Sequence, residues 1–156
     1  RQSVTLNDTI PINEAAYARA GIKVKWNIIS SGYYSTVMNP EKQKDMSASG
    51  WGADWANAST VIPELFASFG GFNLSQNTAD PAYKAFEDKV NTAMKTTDRK
   101  KQAAIWKELD AYAMKQMWVL PTTFGKAQEV WGSQISGVFF WVPQGNPAYG
   151  KMWINN

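Results

Sequence analysis

Strict alternation of apolar and polar side chains predicts strands in the first third of the chain. The alternation is longest over residues 22–28, and shorter versions occur at Val4 and Leu6 and over residues 45–51. A period of two places every second side chain on one face, as in a strand that is buried on one side. Three strands are therefore predicted, near Val4, Val24 and Ala48.

A helix is predicted between the first two of these strands. Asp8 or Thr9 is suited to cap it, Pro11 falls in its first turn, and Gly21 follows its last residues. Strand, helix and strand in this order are typical of a βαβ unit. A second, short helix is predicted at residues 33–38.

Helical spacing of large apolar residues predicts two long helices in the middle of the chain. Asp80 is placed as the N-cap of the first, with Pro81 at its first position, and Asp98 as the N-cap of the second. Only a few residues join the two helices, so we expect antiparallel neighbours. The apolar positions are Tyr83, Phe86, Val90 and Met94 in the first helix, and Ile105, Leu109, Tyr112 and Met117 in the second. Such stripes are more typical of a packed core than of a cofactor site.

Composition narrows the class of function. Hydrophobic residues make up 44% and charged residues 19% of the chain, which is typical of a globular protein. The net charge is +3, and the basic residues along the two long helices indicate a solvated face rather than a nucleic-acid surface. Cysteine and histidine are absent, which excludes a thiolate metal site and a Ser-His-Asp or Cys-His mechanism built from this chain alone. We expect no metal and no cofactor.

The segment Gly50-Trp51-Gly52-Ala53-Asp54-Trp55 resembles a ligand-site motif of the family 5 extracellular solute-binding proteins, the dipeptide and oligopeptide binders of ABC importers. In that family a strand ends in Gly-Trp-x-x-Asp-aromatic. The order of the other segments is similar over most of the chain, including Ala20-Gly21-Ile22, the helix pair after Asp80, and Leu120-Pro121. The resemblance implies an α/β fold, one lobe of a type II periplasmic-binding-protein-like fold with a mixed sheet and flanking helices.

The resemblance also implies that the chain is a fragment of a longer protein with two lobes. Residues 1–123 would form most of the second, substrate-binding lobe, and residues 124–156 would be C-terminal strands and loops that return toward the first lobe. Its partners would be a peptide or other small solute, the remaining lobe of the same protein and the membrane permease subunits of an ABC importer, with no nucleic acid. The protein would be extracytoplasmic, in the periplasm or as a cell-surface lipoprotein, and it would bind its ligand without enzymatic chemistry.

Asp54 carries the ligand contact that the resemblance implies, because the family's Asp meets the ligand's α-ammonium group. A fixed carboxylate suits an ammonium, Trp51 or Trp55 adds a cation–π face, and Gly52 and Ala53 leave the backbone open to a ligand. Further residues predicted to line the cleft are Tyr33, Tyr34 and Asn57. An Asp between two Trp residues is also common as a turn cap beside core aromatics, and this structural interpretation stays open.

The sequence departs from the family pattern in two places. The family often continues with Asp-Pro where this chain has Asn57-Ala58, which alters the loop. Some oligopeptide binders carry an Arg before the Trp to meet a peptide carboxylate, whereas this chain has Ser47-Ala48-Ser49. That carboxylate contact is therefore not supplied by this segment.

Two other functions remain open from the sequence. An oligosaccharide ligand is possible within the same family. A glycoside hydrolase would need two carboxylates about 5 Å or more apart, for which Asp54 and Glu64 are candidates, but nothing in their spacing brings them together.

Overall fold

The computed structural model describes residues 4–39, 41–75, 77–122, 126, 128–142 and 145–155. The chain forms two compact units, Arg1–Ser47 and Ala48–Asn156. The predicted boundary between residues 123 and 124 lies outside the described residues, so that division stays a prediction.

The first unit begins with helix α1, Val4–Arg19. Its end is a Schellman motif, in which Gly21 has a φ of 75° and donates its N–H to the carbonyl of Ala18 at 3.0 Å. Ile22 donates to the carbonyl of Tyr17 at 2.9 Å, which completes the motif. The predicted helix and its glycine stop are confirmed, but the predicted cap at Asp8 or Thr9 is wrong, because both residues lie inside α1.

The strand predicted at Val4 and Leu6 is wrong, because α1 already begins at Val4 and contains Pro11. Two alternating residues fit the first turn of a helix as well as a strand, so the pattern was too short to distinguish them. Helix α2, Tyr33–Val37, confirms the short helix predicted over residues 33–38.

Residues 22–28 and 45–51 form no strand, which corrects the mixed sheet expected from them. Val24 and Trp26 are half-buried between exposed lysines, whereas Ile22 and Ile28 of the same alternation are exposed, so the predicted face is buried only at its centre. Burial on one face does not supply a hydrogen-bonded neighbour, however, and a ladder requires one. Every strand in the described part of the chain lies between residues 135 and 154.

The core of the second unit is a pair of helices, α4 at Tyr83–Lys95 and α5 at Arg99–Lys115, with the short helix α3 at Ile62–Phe66 packed against them. Gln102 of α5 donates to the carbonyl of Ala93 at 3.0 Å, and Lys89 pairs with Glu108, so the two helices are antiparallel as predicted. The buried cluster comprises Ile62, Phe66, Phe86, Val90, Ala93, Trp106, Leu109 and Ala113.

The predicted N-cap is confirmed for α5 and wrong for α4. Asp98 caps α5 by accepting the N–H groups of Lys100 and Lys101 at 2.9 and 3.1 Å, as predicted. Asp80 instead caps a turn that precedes α4, accepting from Ala82 at 2.8 Å. Met94 and Met117, placed on the apolar stripes, are exposed. Met94 is in the last turn of α4, and Met117 lies beyond the end of α5 with a φ of 57°.

The last part of the chain forms two small antiparallel ladders, which confirms the predicted strands and loops. Strand β1, Ile135–Ser136, pairs with β4, Trp153–Ile154, and β2, Phe140–Trp141, pairs with β3, Asn146–Pro147. The described residues thus combine helices with small sheets. No helix among them has both the length and the apolar character needed to cross a membrane.

A cluster of three polar side chains joins α4 to the segment after α3. Ser68 donates both its hydroxyl and its backbone N–H to Glu87, and these bonds lower the pKa of the Glu87 carboxyl. The Tyr83 hydroxyl donates to the same carboxylate at 3.1 Å. Burial, followed by the hydrogen bond and charge of Glu87, raises the pKa of Tyr83 to about 12.

We predict that Leu109→Ala lowers the free energy of unfolding by about 2–5 kcal/mol, because it leaves a cavity at a position that is 1% exposed. The matched variant Met94→Ala removes a similar volume from an exposed position of α4. It should change the free energy of unfolding by about 0.5 kcal/mol or less. Urea denaturation of both variants measures the difference, and equal losses would contradict this account of the core.

Tyr83 also predicts a loss of stability at alkaline pH. Its folded pKa of about 12 lies above the ordinary value of 10.0, so the unfolded chain loses the proton first. The stabilisation is complete below pH 10 and disappears as the pH rises toward 12. Urea denaturation at a series of pH values across this range gives the free energy of unfolding as a function of pH. This free energy should fall less steeply for Tyr83→Phe than for the unaltered protein, and an equal fall in both would contradict the assignment.

Candidate functional site

Thr60 organises the loop that carries the predicted ligand site. Its side chain and backbone are 1% exposed. The Thr60 hydroxyl donates to Oδ2 of Asp54 at 2.6 Å and accepts the backbone N–H of Asp54 at 3.2 Å. The Thr60 carbonyl accepts the indole N–H of Trp51 at 2.7 Å. One buried residue therefore fixes both ends of the segment from Trp51 to Asp54.

Asn57 connects this loop to helix α5. Its Oδ1 accepts the backbone N–H of Ser59 at 2.9 Å and so caps the 3₁₀ turn Ala58–Thr60. Its Nδ2 donates to Oε1 of Gln102 at 2.8 Å, and Gln102 is buried on α5. Because a backbone N–H only donates, Oδ1 must face Ser59, and the orientation of the Asn57 amide is fixed.

The two tryptophans of the motif are partly exposed. The ring of Trp51 lies against Phe72 with a centroid separation of 5.1 Å and an interplanar angle of 36°. Trp55 donates its indole N–H to the hydroxyl of Ser59 at 3.1 Å. Gly52 is exposed, with no heavy atom within 4 Å of the position that a Cβ would take, and Ala53 is half-buried. The loop therefore presents aromatic faces and open backbone.

Asp54 itself lies at the surface, and its Oδ2 accepts from Thr60. This contact supports the structural interpretation that the sequence left open, although the donor is the side-chain hydroxyl of Thr60 and not the backbone N–H that a turn cap accepts. A carboxylate has about four acceptor sites, however, so a bond from Thr60 leaves capacity for an ammonium group. The geometry is compatible with both roles.

Tyr33 and Tyr34 belong to the first unit, where their rings meet edge to face with centroids 5.4 Å apart. Asp54, Trp51, Trp55 and Asn57 all belong to the second unit. A shared cleft that includes the two tyrosines therefore stays a prediction.

A cavity of about 470 Å³ opens between the loop and the first two turns of α5. Its lining residues are Ala56, Asn57, Ala58, Arg99, Gln102, Ala103 and Trp106. Of these, sequence reasoning singled out only Asn57 as a site residue. A signal existed for Gln102, since an uncharged polar residue interrupts the apolar stripe that continues at Trp106 and Leu109.

The chemistry of the described side chains offers no metal centre. No group of three or more His, Cys, Asp or Glu residues is placed to hold a metal ion in the part of the chain that the structure describes. The carboxylate of Glu64, the second candidate for hydrolysis, accepts the backbone N–H of Gly71 at 2.9 Å.

Comparison with known proteins finds a distant relationship to a binding protein. The chain is 23% identical over 142 residues to the glutathione-binding protein GsiB of Salmonella choleraesuis (strain SC-B67) and to that of Salmonella typhi. Both alignments cover 88% of this chain but 27% of the relative, so the chain spans about a quarter of the length of these proteins. No protein-family profile and no solved structure matches the chain. The similarity supports a general relationship to solute-binding proteins.

We predict that the hydroxyl of Thr60 and the side chain of Asp54 stabilise the loop as a pair. Thr60→Val and Asp54→Ala should show a coupling free energy of about 1 kcal/mol in a double-mutant cycle, since each removes one partner of the same hydrogen bond. Urea denaturation of the two single variants and the double variant gives the coupling. Additive losses would show that the 2.6 Å contact contributes nothing to stability.

Proposed function

We propose that this chain is the ligand-binding lobe of an extracytoplasmic solute-binding protein that captures peptides or similar amine-bearing solutes for import by an ABC transporter. The observation that carries the proposal is the surface carboxylate of Asp54, held in place by the buried Thr60 within the segment that resembles the family motif.

The carboxylate has the properties that recognition of an ammonium group requires. It is exposed, so a ligand can reach it, and Thr60 restricts its orientation before the ligand arrives. A receptor group that is already oriented loses less conformational entropy on binding. A charge-assisted hydrogen bond then forms between the ammonium and the free acceptor sites of Asp54.

The neighbouring groups suit a ligand with variable side chains. Trp51 and Trp55 present partly exposed rings, and a cation near such a ring gains about 0.5–2 kcal/mol. Gly52 leaves the backbone open on the same loop. Aromatic walls with a few fixed polar groups are typical of small-molecule sites that tolerate differences between ligands.

The distant relatives agree with this class of ligand. They are named for binding glutathione, which is a peptide-like solute with a free amine. The family resemblance supplies the remaining elements of the proposal, namely a second lobe, permease subunits as partners and a location outside the cytoplasm. The proposed activity is capture and release, with no bond made or broken.

The proposal predicts that Asp54→Asn weakens binding of a peptide with a free amino terminus by about ten- to hundredfold, the range for a hydrogen bond to a charged group. The Asn side chain keeps an oxygen that accepts the Thr60 hydroxyl, so the loop should stay folded. Isothermal calorimetry with trialanine and with N-acetyl-trialanine measures the effect. The acetylated peptide has no ammonium and should bind both proteins equally weakly.

The matched control is Asp110→Asn, which removes the same charge from an exposed position in the second half of α5. It should leave the affinity for trialanine unchanged. Equal losses in the two variants, or equal losses for both peptides, would contradict recognition of the amine by Asp54. Release of sugar from a chromogenic glycoside would instead favour hydrolysis.

A further inference from the structure

The net positive charge of the chain is concentrated at one end of the helix pair. Residues 90–107 contain one acid, Asp98, and five cations that form a basic end, namely Lys95, Arg99, Lys100, Lys101 and Lys107. This segment has four more basic than acidic residues, whereas the whole chain has 16 basic and 13 acidic residues and a net charge of +3. The remainder of the chain, with eleven basic and twelve acidic residues, is therefore slightly negative.

The basic end lies where α4 is joined to α5. Lys95 is the last residue of α4 and Arg99 is the first of α5, so only three residues separate them. Lys100 and Lys107 are seven residues apart, which is about two turns and places them on the same side of α5. All five cations are exposed. The charges are therefore gathered within the last turn of α4 and the first half of α5.

The cations of the basic end have no bonded partner in the described chain. None of the five side chains forms an ion pair or a hydrogen bond with another described residue. The carboxylate of Asp98 is held at the start of the helix by the N–H groups of Lys100 and Lys101. An unbalanced cluster of cations repels itself and is attracted to a polyanionic surface.

Three of the cations also lie where a helix disfavours them. Arg99, Lys100 and Lys101 occupy the first turn of α5, and the helix macrodipole is positive at that end. Local rules of helix stability are broken mainly at functional positions. A partner outside the chain would account for the cost that these charges impose on α5.

We infer that the basic end is a contact surface for a membrane that contains anionic lipids. The partner groups are the phosphodiesters of the lipid headgroups, and each Lys or Arg near such a surface adds to the attraction. A contact of this kind requires charge and exposure, with no fixed geometry between the cations. Long lysine side chains without partners in the described chain meet this requirement.

The surroundings of the cations favour lipid over other polyanions. Protein interfaces have an apolar core that is rich in aromatic residues, and a single-stranded nucleic acid needs exposed rings on which its bases stack. Trp106, the one aromatic residue of segment 90–107, is 4% exposed, and Met94 is the one large apolar side chain of the segment that is exposed. A nucleic-acid duplex is attracted by charge alone, so the choice of lipid over a duplex rests on the proposed location outside the cytoplasm.

Cosedimentation with lipid vesicles tests this contact. The chain should bind vesicles of phosphatidylcholine in which about one third of the lipid is phosphatidylglycerol, and not vesicles of phosphatidylcholine alone. Binding should weaken as sodium chloride is raised, because the Debye length shortens from about 10 Å at 0.1 M to about 3 Å at 1 M. The triple variant Lys95→Gln, Lys100→Gln and Lys101→Gln should bind about a hundredfold more weakly, or about fivefold for each charge removed.

Two matched variants serve as controls. Lys23→Gln, Lys25→Gln and Lys44→Gln together remove the same number of charges from exposed positions of the first unit and should leave binding within about twofold. Replacement of the three lysines of the basic end by arginine keeps the charge and should leave binding unchanged. Equal losses in the two glutamine variants, a loss in the arginine variant or no binding to the anionic vesicles would overturn the inference.

Two further measurements separate the inference from its alternatives. Urea denaturation should show that the glutamine variant of the basic end is at least as stable as the unaltered protein, because cations leave the positive end of α5. A lower stability would contradict this account of the helix. Tighter binding to a DNA duplex or to poly-glutamate, compared at an equal concentration of negative charge, would overturn the assignment to lipid. Calorimetry with trialanine decides the proposed function independently, since peptide capture does not require the basic end.

Discussion

The buried side chain of Gln102 connects the packed core of the second unit to its candidate site. It lies on α5 between the helix pair and the loop, donates to the carbonyl of Ala93 and accepts from Asn57. A buried amide is costly unless both of its polar atoms are bonded, and here each has a partner. The position of the loop is therefore set by the packing of α4 on α5.

Thr60 connects the anchored residue Asn57 to the rest of the loop. The turn Ala58–Thr60 is capped by Asn57, and Thr60 at its end holds Asp54 and Trp51. Each of these bonds is local, whereas the contact from Asn57 to Gln102 joins residues 45 positions apart. The loop therefore takes its shape from local bonds and its location from more distant contacts, namely Asn57 with Gln102, Trp51 with Phe72, and Ala58 with the buried cluster.

The elements that the sequence predicted well are those whose signals are local. The cap of Asp98, the stop at Gly21 and the apolar stripes of α4 and α5 depend on neighbours within a few residues. The strands at residues 22–28 and 45–51 failed because a ladder needs a second segment that periodicity does not specify. At the candidate site, the motif identified the loop around Asp54 and Asn57. Thr60 was missed because its bonds to Asp54 and Trp51 form only after the chain has folded.

The pairing of Asn57 with Gln102 has a consequence for how this sequence can diverge. A change at position 57 that removes its amide leaves a buried acceptor on Gln102 without a partner, and a change at position 102 also removes the contact with Ala93. A substitution at either position alone therefore lowers the stability of the fold. Two positions far apart along the chain are thus expected to vary together during evolution, either retaining both amides or losing both in favour of an apolar pair.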